Sequence, residues 1–191
     1  MKLLQILLPI STLLFLVACS QVKPDSDSDP DFKQLPQRPM ELTAPAFANN
    51  GKIPSKFTCD GENINPALSF DDVPAQAQSL VLIMDDPDVP KSIREDGMWD
   101  HWVVFNIPPH TQGVNENGQP DGVAGSNTRG DLSYGGPCPP DREHRYFFKL
   151  YALDSELDLP EGSTKAEVEE GMRDHIIGEA ELVGLYKRIS E

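Results

Sequence analysis

The chain has 191 residues and a formal charge of −15, from 31 acidic against 16 basic side chains. Such an excess argues against bulk contact with nucleic acid or an anionic lipid surface, so a bound anion has to be held by local donors rather than by the overall field. What remains after an atypical N-terminus is about 150 residues, enough for one domain with its own core.

The first eighteen residues carry Lys2, a leucine-rich stretch from Leu3 to Val17, and the boundary Leu16-Val17-Ala18-Cys19. An apolar core this short, ending in a small residue before cysteine, reads as a lipoprotein export signal rather than a permanent span of ~20 residues. Cys19 then becomes the lipidated first residue of the mature chain, an ordinary secretory signal or an uncleaved anchor being the alternatives. Loss of Lys2 takes the charge from −15 to −16. The flank Ser20-Gln21-Val22, without Asp at the second mature position, is similar to outer-membrane sorting signals of two-membrane bacteria. Residues 19–41 are rich in Ser, Asp and Gln and interrupted by Pro24, Pro30, Pro36 and Pro39, which predicts an extended tether. The domain proper is residues 42–191.

Within it, Leu42 to Phe47 and Ala67 to Phe70 are weak strand candidates. Ser79–Met84 and Trp102–Ile107 are short β-branched or aromatic runs ended by Asp-Pro and Pro-Pro, which predicts strands buried on both faces. Tyr146 to Leu153 alternates as a further strand, and the Gly-rich stretch from Gly113 to Gly136 predicts long loops. Only the C-terminal region reads as helical. Thr164 and Glu167 form a capping box, followed by Val168, Met172, His175 and Ile176 at spacings of three and four. Gly178 is expected to interrupt this helix before a second turn or helix carrying Ala180, Leu182, Val183 and Tyr186. The fold class is therefore mainly β, an antiparallel β-sandwich with a few peripheral and C-terminal helices.

Once Cys19 is used, Cys59 and Cys138 remain, both in loop-like surroundings. Export implies an oxidising compartment in which an isolated pair tends to join, two separate buried thiols being the alternative. Neither belongs to a C-x-x-C pair, so a zinc site is poorly supported; no metal or cofactor is expected.

Three stretches place polar groups at the edges of apolar runs: Asp85-Asp86-Pro87-Asp88-Val89-Pro90, Asp100-His101-Trp102-Val103-Val104, and Gly135-Gly136-Pro137-Cys138-Pro139-Pro140 leading to His144-Arg145-Tyr146. This is how a fold presents a small polar pocket at strand ends. Asp86 leaves a buried strand just before a proline and is placed to face a cavity, while capping a turn is the plainer role for Asp85. His144 and Tyr146 lie two residues apart and share a strand face, with Arg145 pointing the other way toward a structural ion pair. His110 and His175 have no supporting motif. Trp102 belongs to the core, Trp99 can roof a ligand, and Arg129 lies in a Gly-rich loop that approaches an anion only weakly as a motif.

Together with Phe57-Thr58-Cys59-Asp60-Gly61, Asn65-Pro66, Leu68-Ser69-Phe70, the strand Tyr146–Asp154 and Glu179-Ala180-Glu181-Leu182-Val183-Gly184, these motifs resemble the phosphatidylethanolamine-binding protein family, in its bacterial Raf kinase inhibitor-like branch, from about Leu42 to Arg188. The resemblance implies a pocket made by Asp86, His101, His144 and Tyr146, with the Gly135-Gly136-Pro137 turn supplying backbone N–H groups. It implies that Asp88 and Pro90 shape the adjoining turn, with a cis bond at Val89–Pro90. Two departures concern the mouth: Asp141-Arg142-Glu143 stands where relatives commonly carry a Gly near Arg142, and Ser133 replaces a frequent Gly. The implied ligand is a small phosphate- or carboxylate-type anion, such as a phospholipid headgroup. Binding is expected to strengthen as pH falls through ~6.5, as imidazole gains a proton. The leading reading is a lipid-anchored, exported binding domain, not an enzyme, with an unidentified protein partner, membrane contact through Cys19 and no nucleic acid. The alternatives are a protease inhibitor or a hydrolase using the His and Asp groups with Cys138 or Ser133 as nucleophile, although no G-x-S-x-G elbow or H-E-x-x-H helix is present.

Overall fold

Alternation at a period of two builds the scaffold. The computed structural model describes residues 38–189, so the signal, Cys19 and nearly all of the tether lie outside the described residues. The strands are β1 (Glu41–Thr43), β2 (Gly51–Lys52), β3 (Leu68–Asp71), β4 (Ser79–Asp86), β5 (Trp99–Ile107), β6 (Gly113–Val114), β7 (Val123–Ala124), β8 (His144–Leu153) and β9 (Ile176–Tyr186), with a 3-10 turn at Ser55–Phe57 and, among the described residues, one α-helix, α1 (Lys165–Gly171). They form a three-stranded sheet in the order β1-β3-β6 and a six-stranded sheet in the order β2-β9-β8-β4-β5-β7. Pairing is antiparallel except between β2 and β9. The expected mainly β sandwich is what the chain forms.

All eight residues of β4 are buried because the large sheet is covered on both sides. Leu80, Leu82, Met84, Trp102, Val104, Phe148 and Leu150 face one core with Leu42, Leu68 and Phe70 of the small sheet. Val81, Ile83, Val103 and Phe105 face a second core closed by Leu157, Val168 and Met172. Continuous apolar runs are therefore required here, whereas β8 has a single exposed position, Arg145.

The C-terminal region departs from expectation. The capping box forms, with Thr164 and Glu167 bonded reciprocally, but α1 ends at Gly171 and His175 lies in the turn that follows, its Nδ1 2.8 Å from Asp154. In place of a second helix, residues 176–186 form β9, paired with β8 along its whole length. Ala180, Leu182 and Tyr186 reach the core cluster at even spacing, and the partner strand satisfies the backbone groups that a short terminal helix would leave exposed.

Candidate functional site

The site lies at the ends of β4, β5 and β8. β4 stops at Asp86 because Pro87 follows and has no N–H for the ladder. The adjacent aspartates part to opposite faces of the sheet. Asp85 does not cap a turn: it is fully buried on the α1 side, with one carboxylate oxygen 2.8 Å from Lys149 Nζ and 2.6 Å from Lys165 Nζ. Two cations on the neighbouring β8 and α1 compensate a charge that could not otherwise be buried. Asp86 faces the other way. Its Oδ2 is 2.7 Å from His144 Nδ1, and its Oδ1 accepts the Asp88 N–H at 2.8 Å. Burial pushes the Asp86 carboxyl up, opposed by its bond with His144.

Asp88 shapes the turn through β8, accepting from Arg145 Nε and Nη2 at 2.8 Å each and from the Arg145 backbone N–H at 3.0 Å. This two-pronged pairing holds the Asp88 carboxyl below its ordinary range. All described peptide bonds are trans, which corrects the cis bond expected at Val89–Pro90. Trans is favoured by about 0.5–1 kcal/mol before proline, and the loop accommodates it: the Pro90 carbonyl accepts both the Ile93 and Arg94 N–H groups, at 2.8 and 3.1 Å.

His101 enters from β5, 6% exposed. Its Nδ1 is 2.6 Å from the Gly135 carbonyl; a carbonyl can only accept, so Nδ1 carries the proton and Nε2 is left with the lone pair. Burial pushes this imidazole down to about 4, opposed by the Gly135 contact. The pH window expected near 6.5 is thereby corrected downward for His101, because losing water penalises the charged ring. Tyr146 packs edge-on against His101, with centroids 5.3 Å apart. Its buried hydroxyl makes no well-formed hydrogen bond, though it approaches Asp86, and burial first, then the charge and contact of Asp86, drive its pKa up. His144, fully buried, sits between two carboxylates, with Asp141 Oδ1 2.8 Å from Nε2. That contact holds the Asp141 carboxyl below its ordinary range.

The Gly135-Gly136-Pro137 turn is near, but its donors are engaged. The Gly135 N–H bonds the His101 carbonyl at 2.9 Å, the Gly136 N–H bonds Asn63 Oδ1 at 2.8 Å, and proline has none. The expected backbone cradle is corrected accordingly: the turn is a structural seam against residues 57–63. Gly136 is required there, since a Cβ would come within 2.6 Å of the Phe57 carbonyl. The same seam holds Cys59 and Cys138, whose sulfurs are bonded at 2.15 Å, and the Cys59 N–H bonds the Pro137 carbonyl at 3.1 Å.

Beside these groups lies a cavity of about 210 Å³, lined by Asp86 and His101 together with Val89, Ile93, Trp99, Arg129, Cys138 and Pro140. Asp86 and His101 thus reach the cavity wall, while His144 and Tyr146 stand behind it. Sequence reasoning missed Ile93, whose only signal is a lone apolar residue in the polar stretch Lys91–Asp96, and the role of Asp141. It undervalued Arg129, the one cation on the wall among the described residues.

Fold and site together define a class: β-sandwich domains with a small, apolar-walled, polar-floored cavity at the ends of their central strands. Comparison with known proteins gives the family. The chain belongs to the phosphatidylethanolamine-binding protein family, whose profile matches residues 43–187. A protein of Methanothermobacter thermautotrophicus named UPF0098 protein is 55% identical over 155 residues, covering 78% of this chain and 99% of the relative. The UPF0098 protein of Chlamydia trachomatis is 51% identical over 149 residues, at the same coverages. Among solved structures, a phosphatidylethanolamine-binding protein homologue from C. trachomatis superposes with a TM-score of 0.77 at 50% identity, covering 79% of this chain and 99% of that one. YbcL of E. coli, described as a member of the mammalian family, gives 0.72 at 27% identity, covering 80% and 100%. None of these names denotes a reaction.

Proposed function

We propose that the domain binds a small anionic ligand of the phosphate or carboxylate type, such as a phospholipid headgroup, in the cavity floored by Asp86 and His101, and that it does so as an exported protein anchored by a lipid on Cys19. The observation that carries the binding reading is the cavity itself. Apart from Arg129 its walls are apolar, and its floor holds two buried titratable groups, with a third, Tyr146, behind them bearing a hydroxyl without a well-formed hydrogen bond. A buried polar atom left unpaired costs about 1–3 kcal/mol, and such groups beside a cavity mark a place where a ligand completes the bonding. Membership of a family named for binding phosphatidylethanolamine agrees with this chemistry.

Titration of the purified domain with inorganic phosphate and with phosphoethanolamine tests the reading. Saturable binding that disappears in His101→Ala and Asp86→Asn is the expected result. Binding that survives both changes removes the cavity from the function, and binding that survives His144→Ala removes His144 from the site. The anchor has a separate test: labelled palmitate incorporated by the full chain and lost in Cys19→Ala supports it, whereas label retained by the variant excludes Cys19.

A further inference from the structure

Arg129 differs from every other arginine among the described residues. Each of the others faces a carboxylate, as in Arg94–Asp96, Arg145–Asp88 and Arg188–Asp60. In a chain with so large an acidic excess a free guanidinium readily finds such a partner, yet Arg129 forms no ion pair with any described residue and lines the cavity instead. Its loop is held in place from both sides. Asn127 Oδ1 accepts the Arg129 and Asp131 N–H groups at 2.8 and 3.0 Å, and Asn127 Nδ2 donates to the Ser133 carbonyl at 3.1 Å. Thr128 is latched to β5, its N–H bonding the Asp100 carbonyl at 3.0 Å and its Oγ1 accepting the Asp100 N–H at 2.8 Å. The latch is one residue from His101, so the cation is anchored beside the cavity floor.

The floor has the opposite character. Asp86 is an acceptor, and His101, with Nδ1 committed to the Gly135 carbonyl, has an acceptor as its remaining nitrogen. Two acceptors below and one cation at the wall suit a molecule with both an anionic oxygen and a proton to donate. A simple carboxylate has the charge and lacks the donor; a neutral alcohol has the donor and lacks the charge.

We propose that Arg129 is the anion-anchoring, specificity-setting residue of this cavity, and that the occupant is a hydrogen-phosphate group, free or as a phosphomonoester, pairing with the guanidinium while its remaining proton goes to the acceptor floor. The inference rests on the binding reading above and narrows it: Arg129 and the protonation state select a phosphomonoester, and a phosphodiester headgroup, which has no phosphate proton to give, is disfavoured. The guanidinium fork matches two phosphate oxygens at once, which a lysine ammonium does not.

The test uses the folded domain at mildly acidic pH, where inorganic phosphate is largely the monoanion, with dimethyl phosphate as an equally charged probe that has no proton to donate. Arg129→Ala and Arg129→Glu should weaken phosphate binding roughly ten- to hundredfold, as expected for a lost charge-assisted bond, and Arg129→Lys should recover part of it. Dimethyl phosphate should bind at least about tenfold more weakly than phosphate to the unaltered protein. Arg129 is exposed, so its replacement leaves the core intact, and thermal denaturation of each variant checks the fold. Co-sedimentation with phosphatidic acid vesicles, lost in Arg129→Glu, identifies a lipid-borne phosphomonoester; phosphate binding without vesicle binding identifies a free one. If Arg129→Ala binds phosphate like the unaltered protein while the cavity-filling Val89→Phe does not, the role of Arg129 is overturned and the cavity reading stands. If Val89→Phe also binds unchanged, both fall.

Discussion

Removing the bond between Cys59 and Cys138 tests how the seam beside the cavity is held. The two residues are separated by 79 positions, and cross-linking a loop of that length removes denatured-state entropy worth about 4.5 kcal/mol at 25 °C in the chain-entropy description. The folded geometry does not depend on the bond alone. Cys59 N–H to Pro137, Gly136 N–H to Asn63 and the Tyr134 hydroxyl to Phe57 join the same two segments at 3.1, 2.8 and 2.7 Å. The double variant Cys59→Ala/Cys138→Ala should therefore fold to the same structure and lose stability through a more expanded denatured state. In urea, where a domain of this size has a slope of about 2 kcal/mol/M, the midpoint should fall by about 2 M and the slope should rise. Dithiothreitol-treated protein should give the same curve as the variant. A midpoint shift below about 0.5 M with unchanged slope, corresponding to about 1 kcal/mol, would refute the reasoning.

Burial holds His101 neutral down to about 4, while the unfolded chain takes up the same proton near ~6.5. Stability due to this ring is thus fully present above ~6.5 and declines as pH falls toward 4, by on the order of 3 kcal/mol. Arg129, Asp85 and His144 act on the ring by charge, Tyr146 touches it, and Asp86, whose carboxyl is pushed up, titrates in the opposite sense. The difference between His101→Gln and the unaltered protein in denaturant midpoints across pH 4 to 7 isolates the term, and parallel profiles contradict it. Tyr146→Phe removes a buried hydroxyl that makes no well-formed hydrogen bond, so stability should stay the same or rise by about 1 kcal/mol; a loss above that in thermal unfolding would mean that the hydroxyl is bonded. Asp141→Ala frees His144 Nε2 from the carboxylate it now faces. His144 stands behind the cavity wall, so the gain comes from the negative charge removed: phosphate affinity measured by calorimetry should increase about two- to fivefold, the range of a half-exposed ion pair, and unchanged affinity would show that this charge is not felt at the cavity.

Much of the scaffold was legible because its signals are local. The apolar runs of β4 and β5, the alternation of β8 and the capping box at Thr164 each express themselves within a few residues. β9 was not, since apolar residues at 180, 182, 183 and 186 fit either a helical or an alternating spacing, and only the partner β8 decides between them. Of the site, the strand ends at Asp86, His101 and His144 were readable from their prolines and apolar flanks. Which face each aspartate takes was not: Asp85 and Asp86 are adjacent and chemically identical, and they differ only because Lys149 and Lys165 lie on one side of the sheet and His144 on the other. Tertiary structure alone brought Arg129 to the cavity without a carboxylate and Asp141 onto His144, because whether a charge is paired depends on what lies near it in space, and sequence separation carries no record of that.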